Sequence, residues 1–186
     1  MSQYTDKGMI DCALPSLSVR MVRQPAPVPQ CALPEGYTFA FYREGDREKW
    51  VDIHMHVAQF DDRAKAADCF DRNFPEKEEL PRRMIFAIAP DGSCAGTATA
   101  WFEGEIGRLH WVAVDPAHKR KGIAKALVCR ATALLHEMHK GQIFLTSGTR
   151  NHVAVAMYEK LGYTPDIAGS AGGEEAWRII REANGV

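Results

Sequence analysis

The residue types best suited to chemistry lie between Val112 and Ala124, where a short apolar run (Val112, Ala113, Val114) meets a proline turn and then the basic trio Lys119, Arg120 and Lys121. Gly122 follows. After it Ile123, Leu127, Ala131, Leu134, Leu135 and Met138 recur at the spacing of one buried helical face, so a long helix begins close to Gly122. The first-turn N–H groups of a helix have no partners within it and sit at the positive end of its dipole. An anion placed there gains hydrogen bonds and favourable electrostatics together. Gly122 and Ala124 keep the approach open, and the basic trio supplies the charge that a ligand with several phosphates requires. A solvated helix start or a nucleic-acid patch would show the same basic run. A dinucleotide site of the Gly-x-Gly-x-x-Gly kind is not indicated, because no such run follows a first strand.

A second block runs from Thr149 to Tyr163. Asn151 stands where it can cap a short helix over 153–161, and Gly162 stands where it can close that helix. By spacing alone Tyr158 shares the inner face of that helix with Ala154 and Leu161.

The two blocks together resemble motifs A and B of the GNAT acyltransferases, in that family's order and spacing. Motif A is Gln or Arg followed by x-x-Gly-x-Gly or Ala, and Lys119, Gly122 and Ala124 occupy its three positions, with Lys119 a departure. The likeness spans roughly Leu33 to Arg181. It implies a cradle for the pyrophosphate of acetyl-CoA at Lys119, Arg120, Lys121, Gly122, Ile123 and Ala124. It also implies splayed central strands, with the acyl-pantetheine against the main chain of Val112, Ala113 and Val114. Asn151 is then a contact to the pantetheine arm, and Tyr158 the acid that protonates the departing thiolate, a role suited to a phenol whose pKa lies near 10. For the proton of the acceptor amine, Glu103 and Glu105 follow the strand that would flank the acceptor side, and His110 lies on the next. A glutamate at a hairpin end is more often simply solvated. The acidic set Asp61, Asp62, Glu76, Glu78 and Glu79 falls where acceptor-covering helices occur in the family and could attract a cationic amine, though an ordinary solvated face is the plainer reading.

The implied activity is direct transfer of an acetyl group from acetyl-CoA to a primary amine, without a metal and without a covalent enzyme intermediate. The alternatives are a non-catalytic acyl-CoA-binding or sensing module, and a nucleic-acid binder using residues 118–121. Homodimers are common among relatives, so that state stays open here.

Composition sets the frame. A chain of 186 residues that is 46% hydrophobic, with a formal net charge of −1, can bury one sizeable core. We read residues 34–181 as the acyltransferase domain, 1–33 as an arm and 182–186 as a tail. Near-neutral charge argues against a general nucleic-acid partner. Cys12, Cys31, Cys69, Cys94 and Cys129 are scattered, odd in number and without a Cys-x-x-Cys pair, which points to a reducing compartment rather than a disulfide framework or zinc site. Asp6, Lys7 and Asp11 interrupt any leader-like apolar run, and no stretch reaches membrane-span length, so a cytoplasmic protein without membrane association is expected. His54 and His56, two apart on a helix, point to different faces, and His136 and His139 lack a third ligand, so no metal centre is read from them.

The elements that must position these residues form an α/β order with a mixed, mostly antiparallel sheet flanked by helices. Expected strands are Ser18 to Arg23, Tyr37 to Arg43, Met84 to Ala89, Cys94 to Phe102, Leu109 to Val114, Gln142 to Thr146 and Ala176 to Arg181. Expected helices begin near Arg47, under an Asp46 cap, and contain Ala66 to Phe74. Pro25, Pro27, Pro29 and Pro34 make a stiff connector after the first strand.

Overall fold

Every expected strand but the last is found in the computed structural model, which describes residues 10–139 and 141–186. In chain order the elements are β1 (Ser18–Arg23), β2 (Thr38–Phe41), α1 (Arg47–His56), α2 (Arg63–Asn73), the single turn α3 (Leu80–Arg83), β3 (Met84–Ile88), β4 (Cys94–Glu103) and β5 (Ile106–Val114). Then follow α4 (Ile123–Met138), β6 (Ile143–Gly148), α5 (His152–Lys160), β7 (Thr164–Asp166) and α6 (Gly173–Asn184). The strands form one sheet in the order β2-β3-β4-β5-β6-β1-β7. All neighbours are antiparallel except β5 and β6, which run parallel.

Alternation along β3 shows how the sheet divides its two faces. Met84 and Phe86 enter an aromatic core with Trp50, Phe70, Phe74 and Trp101, built by α1 and α2. Ile85 and Ala87 enter the larger core with Leu127, Leu135, Tyr158 and Trp177, built by α4, α5 and α6. Gly96 in β4 allows α4 to sit close, since a Cβ there would lie 2.8 Å from the Ala113 carbonyl oxygen and 2.9 Å from Leu127 Cδ1.

Several expectations are corrected. Residues 176–181 form part of α6, not a strand: Ala176, Trp177, Ile179 and Ile180 are buried while Arg178 bridges Glu175 and Glu182 on the outer face. β1 lies inside the sheet, paired along its length with β6 and also with β7, and α6 runs past residue 181. Residues 1–9 of the expected arm, with Asp6 and Lys7, lie outside the described residues. Met138 is exposed rather than on the buried face, because α4 is ending there. Asp46 precedes α1 but does not cap it with its side chain. Its carboxylate turns back to accept from the Arg43 N–H at 2.9 Å and pairs with Lys49 at 2.7 Å.

Cys31 and Cys129, 98 residues apart, form a disulfide that fastens the connector to α4. Their scattered spacing gave no sign of it. Arg23 makes a second fastening. It is buried and donates to the main-chain carbonyls of Ala26 at 3.1 Å, Pro27 at 2.9 Å and Leu161 at 3.1 Å, so it joins the connector to the end of α5.

Candidate active site

β5 and β6 pair only through Gly107 with Ile143 and Arg108 with Phe144, at the start of both strands. Gly107 permits that closeness, since a Cβ would stand 2.8 Å from Ile143 Cγ2. Beyond residue 108 the strands part. On its other side β5 is bulged: Thr99 faces His110 and Thr97 faces Ala113, so Trp111 and Val112 together stand opposite Ala98. Trp111 takes a left-handed φ of 49°, a conformation costly for a large side chain. Aromatic packing holds it there, with ring centroids 5.1 Å from both Trp50 and His54 and 6.0 Å from Phe60. Splay and bulge together interrupt the ladder on both sides of β5 beside the gap.

That gap opens into a cavity of about 610 Å³, within the range of small-molecule sites. Val112, Ala113, Val114, Lys119, Arg120, Gly122, Ile123, Ala124, Asn151 and Tyr158 all line it, and so does His110. Lys121 does not. Its ammonium donates to the Tyr37 hydroxyl at 3.1 Å, and that hydroxyl also meets His118 Nδ1 at 2.9 Å. Tyr37 thus holds the basic turn, a part that no motif announced.

The cradle is built by the main chain. Asp115 accepts from the Ala117 N–H at 2.8 Å and meets His56 Nδ1 at 2.5 Å, tying the turn to the end of α1. Arg120 and Gly122 have positive φ, 61° and 83°, and so coil the chain tightly into α4. The first intrahelical bond joins the Ala126 N–H to the Gly122 carbonyl, which leaves the N–H groups of Ile123, Ala124 and Lys125 without helical partners. No side chain caps this end, and a Cβ on Gly122 would meet nothing within 4 Å. Space, unpaired donors and positive charge therefore coincide, as a phosphate group requires. Burial holds the Lys119 ammonium below the usual lysine pKa.

Asn151 precedes α5 but makes no side-chain cap, so its amide is not spent on the helix. Gly162, at φ 85°, closes α5 with Tyr163 N–H to Tyr158 carbonyl at 3.1 Å. Tyr158 is 8% exposed, on the cavity wall, and burial pushes its phenol up to about 12.

The three candidates for proton removal separate. Glu103 and Glu105 are exposed and do not line the cavity, and Glu103 is paired with Arg108 at 2.9 Å. The hairpin turn carries both glutamates outward, which takes them out of direct reach of a substrate in the gap. His110 does reach the cavity. Its Nε2 meets Asn73 Oδ1 at 3.2 Å, so Nε2 carries the proton and Nδ1 the lone pair. Burial first, then the Arg108 charge and the neighbouring His54, push its pKa down to about 3. His54 is fully buried. It meets Gln59 Oε1 through Nδ1 at 2.8 Å, and burial pushes it down to about 4. Among the described residues no group of three or more His, Cys, Asp or Glu could hold a metal ion, and no helix is long and apolar enough to cross a membrane.

The model of the acetyltransferase (GNAT) family matches residues 34–163. The chain is 30% identical over 153 residues to a mycothiol acetyltransferase of Catenulispora acidiphila, covering 75% of this chain and 46% of that protein. To the mycothiol acetyltransferase of Salinispora tropica it is 26% identical over 149 residues, covering 74% and 48%. It therefore spans about half the length of these curated relatives. Among solved structures, a GCN5-related N-acetyltransferase from Sphaerobacter thermophilus superposes with a TM-score of 0.68 at 18% identity, over 81% of this chain and 49% of that one. A GNAT-family acetyltransferase from Colwellia psychrerythraea gives 0.64 at 12% identity, over 82% and 53%. These two likenesses concern the fold.

Proposed function

The chain belongs to the acetyltransferase (GNAT) family, and on that premise we propose that it transfers an acetyl group from acetyl-CoA directly to a primary amine. The observation that carries the proposal is the continuity of one cavity from the unpaired N–H groups opening α4, past the bulged β5, to Tyr158. Acetyl-CoA, when bound, supplies an activated thioester. The chain's own residues supply the rest. The α4 N-terminus and its basic turn hold the pyrophosphate, Asn151 bonds the pantetheine arm, and N–H groups of Val112 to Val114 face the thioester oxygen as negative charge develops on it.

Tyr158 gives its phenolic proton to the sulfur as the carbon–sulfur bond breaks. A phenol at about 12 is a weak acid beside a thiol of about 8.5 in water. The burial that raises the phenol raises the thiol as well, which narrows that gap. The amine nitrogen forms the new bond to the carbonyl carbon, and its surplus proton returns through water to the tyrosyl oxygen. His110 presents a neutral Nδ1 lone pair to such a relay. It does not store the proton, since its pKa of about 3 lies well below that of any alkylammonium. We assign the protein to the cytoplasm on the sequence reading, although the Cys31–Cys129 link runs against the reducing compartment that the cysteine spacing suggested, and give it no membrane partner and, in keeping with the near-neutral charge, no nucleic-acid partner.

A thiol-release assay with acetyl-CoA across a panel of amines, with a no-acceptor control, tests this reading. Release that depends on an acceptor is the expected result. Binding of coenzyme A without release from any amine would favour a binding or sensing module instead.

A further inference from the structure

α2 ends on an amide that touches the cavity wall. The end is set locally, because Pro75 disfavours a helical Phe74, which leaves the helix at φ −129° and ψ 66° and sinks into the aromatic core against Trp50, Phe70 and Trp101. Asn73, the last helical residue, is thereby held against β5, where its Oδ1 meets His110 Nε2 at 3.2 Å.

That amide cannot be turned over. Its Nδ2 donates to the Cys69 carbonyl one turn back at 2.8 Å and to Cys69 Sγ at 3.3 Å, and the reverse orientation would set Oδ1 against that carbonyl, two acceptors with no proton between them. Oδ1 therefore accepts and His110 Nε2 donates. Nδ1 is then the ring nitrogen left for whatever enters the cavity that His110 lines. His54 has the opposite arrangement: its Nδ1 meets Gln59 Oε1 at 2.8 Å, its Nε2 is buried without a hydrogen-bond partner, and it does not line the cavity. Of these two imidazoles only His110 offers the cavity a lone pair. Around His110 stand Arg108 on β5, paired with Glu103 at 2.9 Å, His54 on α1, Cys69 behind Asn73 on α2, and the uncharged Thr99 opposite it on β4.

Resting on the acyltransfer reading above, we propose that Asn73 is a positioning residue for that reaction, fixing the ring and tautomer of His110 so that Nδ1 always stands as a hydrogen-bond acceptor toward the cavity. A water held by Nδ1 can accept from the N–H of the attacking amine and so turn the nitrogen lone pair toward the thioester carbon. Without the amide the ring is free to rotate and to exchange tautomers. The acceptor is then presented only part of the time.

The tautomer is read first, on the parent, from the imidazole nitrogen chemical shifts by NMR. His110 should show a protonated Nε2 and a bare Nδ1, and a protonated Nδ1 would overturn the inference. Thiol release with acetyl-CoA and one good acceptor is then followed for the parent, Asn73→Leu, His110→Ala and the double variant. Asn73→Leu, which keeps bulk without the amide, should lower kcat about tenfold, leave coenzyme A affinity within about twofold, and add no further loss to His110→Ala. Losses that multiply in the double variant would overturn the inference, as would an Asn73→Leu kcat within about twofold of the parent. Asn73→Asp keeps an acceptor for Nε2–H but favours the imidazolium, so as pH falls the Nδ1 lone pair is lost sooner than in the parent. The ratio of its kcat to the parent's should drop about tenfold between about pH 8 and about pH 5.5, the Arg108, His54 and Cys69 surroundings being common to both. A level ratio would contradict the assignment. Release from no acceptor by the parent, with coenzyme A still bound, would remove the acyltransfer reading and Asn73's part in it, while the tautomer result stood.

Discussion

The two halves of the cavity are built from different materials. At the α4 end the chemistry is main-chain: unpaired N–H groups, two left-handed residues and a glycine whose missing side chain leaves space. At the end facing α1 and α2 it is side-chain: aromatic rings packed edge to face, an amide and two imidazoles whose pKa burial lowers. Main-chain sites depend on where a helix starts, which is a local matter. Side-chain sites depend on what distant elements bring together. The first half is therefore insensitive to most substitutions and suited to a constant ligand, while the second is sensitive and suited to a particular acceptor.

Acid separates the halves most sharply. The folded pKa of His54, about 4, lies below its ordinary value of 6.5, so between those values the unfolded chain binds more protons and stability rises with pH. Going down from pH 6.5 to pH 4 should remove about 3 kcal/mol through His54 alone, with His110 acting in the same direction. Urea melts across this range should show the loss, and His54→Gln should flatten the curve. A parent whose stability is level from pH 7 to pH 4.5 would mean that these imidazoles are not buried neutral.

Next in size is the effect at the meeting point of the halves. Tyr158→Phe should lower turnover by about a hundredfold while coenzyme A affinity stays within a few-fold, the pattern of a lost positioned acid. Steady-state kinetics with one good acceptor, beside calorimetric titration, checks both numbers. Unchanged turnover, where chemistry limits the rate, would return Tyr158 to its packing role beside Tyr163.

The smallest effect is expected at the two glutamates that sequence offered as a base and that do not line the cavity. Glu103→Gln and Glu105→Gln should each leave kcat and its pH profile within about twofold of the parent, since neither side chain lines the cavity and surface charges of this kind contribute little. A loss of strongly basic acceptors in either variant, recovered at high pH, would bring that glutamate back as the proton acceptor.

What could be read from sequence follows the same division. The strand, turn and helix from Val112 onward are local in sequence, and of the strand and cradle residues singled out there all but Lys121 line one cavity. β1 was legible by alternation. Its place between β6 and β7 was not, because strand order is set by pairings across more than a hundred residues. Residues 176–181 form a short apolar run that suits a strand as well as a helix, and the glycines before it obscured the helix start. β7 was invisible at three residues with a central proline, and that proline is tolerated because β7 is an edge strand. The left-handed Trp111 had no signal at all, since such a φ usually marks glycine or asparagine. Nor did Tyr37, the Cys31–Cys129 link or the packing of His54 on Trp111, each of which rests on contacts between distant segments.

The central claim is that the unpaired N–H groups opening α4 hold the pyrophosphate of coenzyme A. Calorimetric titration of the parent and Gly122→Glu with coenzyme A and with pantetheine, which lacks the nucleotide and its phosphates, tests it directly. The new side chain would bring bulk and negative charge to the opening of α4, where a Cβ meets open space and φ is 83°. The parent should bind coenzyme A far more tightly than pantetheine, and Gly122→Glu, with its fold verified by circular dichroism, should lose that difference. A folded Gly122→Glu that binds coenzyme A as tightly as the parent would contradict the claim.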